Sequence, residues 1–381
     1  MKRIKTLSVF MAVLMLFGVF SIGAGAIEIG GFEIYPYIPP QTANYSIVFN
    51  PCCEGPDSYT KYYYSSEVTL PTYVEDGSYV FKRDGYALAG WTDEEGGKVK
   101  YCKGEKISLQ SFDGTVLYAV WCPIVLSPDE VFRFNNSSYY FDINGEDNYY
   151  LSDDNFNMLQ KNTAKVFLLS PIPASIYCLV LSTYPSWEWK GSCYGMSLVT
   201  ALQHFGKIDV LKLQEAGCMN DMVNDEELIS FINYYQAQAA SSYLCENRAD
   251  KPGSARYKRQ LEKLYNSVES GKLVIFTFYD GKSIISSGHT VLFTGAYTDS
   301  QGYHHFITYD CNYPSRYYNG TFSSEFTAEP DFSSIAYPYH EIEAINWTDE
   351  FSQFDAFDIN GGGKPLTWHK AFFKHVANIL K

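Results

Sequence analysis

Two short stretches hold residue types that could support nucleophilic chemistry, and a third could complete them. In KGSCYGMSLVTALQHF (190–205), Cys193 follows Gly191-Ser192. It precedes a run in which Tyr194, Leu198, Val199, Leu202 and Phe205 recur at helical spacing. That pattern makes Ser192 the helix N-cap and Cys193 the first helical residue. Unpaired backbone N–H groups and the positive end of the helix dipole favour a thiolate there, and the same N–H groups can stabilise an oxyanion. Free cysteine is also among the most commonly buried residues, so position alone does not make a nucleophile. A thiolate nucleophile also needs a base.

Of the seven histidines, His289 opens an apolar strand behind a Ser-Ser-Gly loop, in SSGHTVLFTGAY. A side chain at that edge can face a cleft. His204 lies within the Cys193 helix, and His304 and His305 start the next strand. His340 falls in a Tyr-rich loop, and His369 and His375 on a terminal amphipathic helix. The strands TVLFTGAY and HHFITYD flank TDSQG, a turn signal. A loop at Asp299-Ser300 sets His289 opposite Asp310. A loop at Ser300-Gln301 sets it opposite Asn312. Both share parity, so both point to the face of His289. A carboxylate or amide there would fix the imidazole tautomer. The candidate catalytic set is therefore Cys193 as nucleophile, His289 as base and Asp310 as orienter, with Asn312 the alternative orienter. The plainer reading of Asp310 is a residue that ends a strand.

The elements around these residues follow from composition and pattern. Residues 1–26 read as a secretory signal: Lys2, Arg3 and Lys5, an apolar run, then Ala-Gly-Ala. No later stretch is apolar enough to span a membrane, so a secreted or cell-surface protein is expected. The formal charge of −14 becomes more negative on loss of that segment, which leaves no electrostatic basis for binding nucleic acid or anionic membrane. Export permits disulfides among the nine cysteines, and an odd count leaves one unpaired if no bond is intermolecular. No CxxC pair or His/Cys cluster at zinc spacing is visible, so neither a metal nor a cofactor is expected. The segment 27–43 reads as a linker, 44–122 as a small β-domain, and 123–165 as a polar linker or cover segment. In the last, Asp142, Asn144 and Glu146 alternate, but Gly145 sits too early for a calcium loop. From about 166 strands, helices and then a sheet give an α+β pattern to the end of the chain.

Within 44–122, Val48-Phe49, Leu70-Pro71, Gly85-Tyr86, Gly90-Trp91, Gly96-Gly97 and Leu117-Tyr118-Ala119 with Trp121 follow the order of the Listeria–Bacteroides (internalin-type B) repeat. The segment resembles that family throughout. The resemblance implies a β-grasp-like fold and a spacer or interaction role on secreted and surface proteins. Two features depart from the family: NPCCEGPDSYTKYYY replaces its usual turn, and only one copy is present. Cys52, Cys53, Cys102 and Cys122 are candidates to staple this domain.

The order GSCYGMS, GKLVIFTF, GHTVLFTGAY, YDCNYP resembles papain-like (clan CA) cysteine peptidases, most nearly the bacteriocin-leader type. That resemblance implies a papain-like domain over 166–381, a peptide or protein substrate, and Cys193, His289 and Asp310 as the triad. The family carries an oxyanion-donating Gln shortly before the cysteine, and LSTYPSWEWKGS has none. Trp187, Trp189, Lys190 or the Cys193 N–H alone are the remaining donors. Two other readings stand beside the peptidase. One is a cell-wall amidase or transglutaminase-like enzyme. The other is a non-catalytic surface protein with a degenerate papain-like domain, binding a cell-surface or host protein through the repeat.

Overall fold

Strands rich in β-branched and aromatic residues assemble into two main sheets, and helices cover both faces of the larger one. The computed structural model describes residues 45–159, 183–237, 247–279, 288–338 and 342–349, apart from breaks at 54–57, 73, 77–78, 144 and 146, together with short strands at Ile27–Ile29 and Phe32–Ile34. The signal segment 1–26, the strands expected at 164–170 and 176–182, the terminal helix, Cys178, Cys245, His340, His369, His375, Asn144 and Glu146 lie outside these residues.

The first sheet has strands β1 (Tyr45–Asn50), β2 (Tyr59–Tyr63), β3 (Tyr86–Thr92), β4 (Tyr101–Cys102) and β5 (Thr115–Pro123), in the order β2-β1-β5-β3-β4. β5 runs parallel to β1 and antiparallel to β3. Alternation along the strands turns Ile47, Phe49, Leu117 and Ala119 into one core with Leu88 and Trp91. Trp91 is fully buried, and its indole N–H donates to the Pro71 carbonyl at 3.0 Å, tying the Leu70-Pro71 turn to β3. Cys52, Cys102 and Cys122 carry free thiols, so the staple expected among them is not formed. The Cys122 thiol instead sits 3.4 Å from the Ala296 carbonyl in the second sheet.

That second sheet has β6 (Asn247–Asp250), β7 (Val274–Tyr279), β8 (Gly288–Thr298), β9 (His304–Tyr309), β10 (Glu325–Ala328), β11 (Ile335–Ala336) and β12 (Ala344–Thr348). Their order is β6-β12-β7-β8-β9-β10-β11, with every pair antiparallel. Ile275, Leu292 and Ile307 face a core shared with α1 (Cys193–His204) and α2 (Glu226–Gln236). Phe276, Val291 and Phe306 face the opposite core, with Tyr257, Leu261 and Leu264 of α3 (Ala255–Glu269). Burial on both faces explains why β7 reads as a continuous apolar run rather than an alternating one.

The sheets abut through polar contacts as well as apolar ones. The Lys103 side chain is nearly buried and pairs with Glu325 at 2.8 Å, while donating to the carbonyls of Leu88 and Phe322. Tyr297 donates to the Ala89 carbonyl at 3.0 Å, and the Ser300 N–H to that of Val99 at 2.7 Å. The segment read as a linker or cover is part of the core instead: Leu126, Val131, Phe132, Phe134 and Phe141 are buried against α1 and β9 residues. Its apolar residues are spaced irregularly among Asn, Asp and Ser, which hides that burial in the sequence.

α1 and α2 pack tightly at Gly195, where an added Cβ would collide with the Ile232 carbonyl oxygen and crowd the Gln236 backbone nitrogen. Both partners are backbone, so relief requires the helices to separate. Gly195→Ala should therefore lower stability by about 1–3 kcal/mol, the usual cost of overpacking, read as a shift of the denaturant midpoint.

Candidate functional site

α1 begins at Cys193 because the chain enters it through Gly191, whose φ of +119° favours glycine. Ser192 occupies the N-cap position, but its side chain makes no cap hydrogen bond. Its hydroxyl donates to Asn233 Oδ1 on α2 at 2.5 Å and accepts from the Trp189 indole at 3.0 Å. The expected cap is thus replaced by a tether to the neighbouring helix, since the Asn233 amide is within reach and itself held to the Tyr150 carbonyl at 3.0 Å. The next N–H, that of Cys193, stands at a helix start where no intrahelical acceptor exists.

The Ser192 N–H is claimed by Asn136, whose Oδ1 accepts it at 2.7 Å. A backbone N–H can only donate, so this bond fixes the amide's orientation and directs Nδ2 to Asn312 Oδ1 at 3.2 Å. The Asn136 N–H also donates to the Cys311 carbonyl at 2.9 Å. One side chain from the 123–165 segment thereby joins the turn before Cys193 to the turn after β9. Nothing in the local pattern FNNSS marked Asn136 for this role, because its partners are remote in sequence.

His289 is the second residue of β8 and pairs with Phe278 across β7. The β8–β9 hairpin has a bulge between Phe293 and Gly295, and below it Leu292 faces Tyr309. Continued, that register sets Asp310 opposite Val291, on the same face as His289 and diagonal to it. The turn spans Asp299 to Tyr303 rather than two residues, because the Asp299 carboxylate accepts the Gln301 and Tyr303 N–H groups, both at 2.9 Å. His289 Nε2 meets Asp310 Oδ1 at 2.8 Å. Asn312 does not face the imidazole with its side chain. It donates its backbone N–H to Asp310 Oδ1 at 2.8 Å. Asp310 Oδ2 accepts from Tyr337 at 2.5 Å, a partner with no signal in the sequence.

The Asp310 side chain is fully buried, and burial alone would raise its pKa. The His289 charge, with hydrogen bonds from His289, Tyr337 and the Asn312 N–H, holds it below the ordinary carboxylate range. Burial alone would lower His289, but the Asp310 carboxylate and the Cys193 thiol overcome this and raise it to about 10. Nε2 is taken by Asp310, so Nδ1 is the nitrogen that faces the thiol. Cys193 is buried, which would raise its pKa. Its hydrogen bond to His289, the imidazolium charge and hydrogen bonds from Thr290 bring it below the usual thiol value. The adjacent Cys311 thiol lacks such partners, and burial pushes it well up. The structure therefore brings Cys193, His289 and Asp310 together, the thiol hydrogen-bonded to an imidazole that a buried carboxylate holds.

The three side chains before Cys193 that could replace the missing Gln are engaged elsewhere. The Trp189 indole donates to Ser192, and that of Trp187 to Thr183 Oγ1 at 3.2 Å. Lys190 is exposed beside Glu188. The Cys193 N–H is the donor that remains at the thiol. Comparisons with protein-family models, with curated proteins and with solved structures find no match to this chain.

Iodoacetamide should alkylate Cys193 at a lower pH than an ordinary thiol, because the His289 hydrogen bond and imidazolium charge favour the thiolate while His289 keeps its proton up to about 10. An ordinary thiol gains about tenfold per pH unit up to ~8.5. His289→Ala should abolish the low-pH reactivity and leave a burial-raised thiol that reacts only in alkali, as read by mass-spectrometric mapping. Asn136→Ala leaves the buried Ser192 N–H unpaired and should cost about 1–3 kcal/mol by denaturant titration.

Proposed function

We propose that the chain is a papain-like thiol hydrolase, a cysteine peptidase, secreted or held at a bacterial surface and carrying one internalin-type B repeat over 44–122. The observation that carries this reading is a thiol at a helix start, hydrogen-bonded to an imidazole whose second nitrogen is held by the buried Asp310. The setting agrees with it: the helix bearing Cys193 packs on the antiparallel sheet that bears the base at one strand's start and the acid at the next strand's end. For the repeat, support comes from the Trp91–Pro71 bond and the shared core of β1, β3 and β5, in which Phe49, Leu70, Trp91, Leu117 and Ala119 of the resemblance lie. Its proposed role is contact with a cell-surface or host protein.

The chemistry runs as acyl transfer. The Cys193 thiolate attacks a peptide carbonyl carbon, forming an S–C bond while the carbonyl electrons move to oxygen. The Cys193 N–H is placed to receive that oxyanion. His289 gives its Nδ1 proton to the amide nitrogen as the C–N bond breaks, and the amine leaves. Asp310 keeps the proton on Nε2, so the neutral imidazole presents Nδ1 as an acceptor. It takes a proton from water, whose oxygen attacks the thioester. The C–S bond then breaks, the thiolate is expelled and the carboxylic acid departs.

A panel of unstructured peptides, followed by mass spectrometry, tests the reading. Cleavage is expected, and Cys193→Ala should remove it to background. Asp310→Asn should lower kcat by up to about 10⁴-fold with KM little changed, the scale expected when a triad carboxylate becomes an amide. Cleavage of peptidoglycan stems alone would favour the cell-wall amidase reading. Failure on both substrates, with Cys193 still hyper-reactive, would favour a binding protein with a degenerate site. The engagement of all three upstream donors is the observation on that side.

A further inference from the structure

A second cluster of reactive side chains lies where the two sheets meet. Cys102 of β4, Asp299 at the β8–β9 turn and His305 of β9 bring one ligand atom each to within 4.8 Å of one another. His305 Nε2 and Asp299 Oδ2 are 3.2 Å apart. Ligands bonded to one tetrahedral zinc at about 2.0–2.1 Å stand roughly that far from each other. We propose that Cys102, Asp299 and His305 form a zinc(II) site that clamps the first sheet to the second, with water in the fourth position.

Three observations support this independently of the Cys193 site. First, the atoms not offered to the metal are already held. Asp299 Oδ1 accepts two backbone N–H groups, and His305 Nδ1 lies 3.4 Å from Thr327 Oγ1. A metal-ligating imidazole is characteristically oriented through its other nitrogen in this way. Second, the imidazole plane is fixed by Tyr297, whose ring stacks on it at 4.7 Å and 5°. Third, Asp299 and His305 are buried, 8% and 6% exposed, so this is not a loose surface patch.

The donor set selects the ion. Thiolate and imidazole do not suit calcium or magnesium, which take oxygen ligands, whereas one sulfur, one nitrogen and one oxygen suit zinc. No spacing rule could have located these residues. Cys102 is supplied by a different sheet from Asp299 and His305, so the sequence pattern offers no Cys/His cluster, and the site departs from the expectation that no metal is bound.

The experiment uses the full chain carrying Cys193→Ala and Cys311→Ala, since His289, Asp310 and Cys311 form the other cluster that could take a metal. Chelator-stripped protein is dialysed against micromolar zinc, and bound metal is counted. A parallel sample takes cobalt(II), whose thiolate ligation gives a near-ultraviolet charge-transfer band. One zinc per chain, a cobalt–thiolate band and a zinc-dependent rise in Tm are expected. Cys102→Ser should lower the stoichiometry by one and remove the band and the Tm rise, with circular dichroism unchanged. Thr327→Val, which removes an outer partner only, should weaken zinc about 10–100-fold while keeping the band. No bound zinc in the parent, or equal binding in Cys102→Ser, overturns the proposal. None of these readouts passes through Cys193, so they stand apart from the test of peptide cleavage.

Discussion

A carboxylate with no exposed surface organises the second half of this molecule. Asp310 could not remain ionised in its position without partners, since transferring a bare charge out of water costs several kcal/mol even after relaxation. Its partners come from separate parts of the chain: His289 at the start of β8, the Asn312 N–H just past β9, and Tyr337 just past β11. Each donor holds its own segment at the carboxylate. Once the acid is held, the imidazole is held, and the direction in which its second nitrogen points is no longer free.

The thiol is delivered from the opposite direction by a different kind of constraint. α1 is buried along nearly its whole length and packs against both α2 and the sheet. Its first residue cannot drift, because Ser192 is fastened through its N–H to Asn136 and through its hydroxyl to Asn233. Polar side chains in an apolar core must all be paired to be tolerated, and these are. Apolar packing sets the height of the helix over the sheet, while the amides set where it begins.

How much of this the sequence revealed depends on the range of each interaction. The α1 helix, the apolar strands and the shared face of His289 and Asp310 follow from local periodicity. The parity survives because two departures cancel: the longer turn shifts the pairing by one residue, and the bulge at Phe293–Gly295 shifts it back before Leu292 meets Tyr309. The turn is longer than the Asp-Ser-Gln-Gly pattern suggests, since the Asp299 carboxylate caps two N–H groups. Ser192 leaves its cap unmade for a similar reason, a better acceptor on another helix. Asn136, Tyr337 and the burial of Leu126, Phe132 and Phe141 were illegible, because each is decided by contacts between residues far apart in the chain. The disulfide staple failed on the same ground: Cys122 points at the second sheet, not at a neighbouring cysteine.

The scatter of these contacts along the chain has a consequence for the protein's early life. The side chains that lower the Cys193 pKa are all tertiary partners. The imidazole comes from residue 289, the acid behind it from 310, and the hydroxyl on that acid from 337. A chain emerging from the ribosome carries Cys193 long before any of them. Until the last strands are in place, the residue is a plain thiol, mostly protonated at neutral pH. Latency is therefore built into the order of synthesis, and nucleophilicity arrives only with the completed fold.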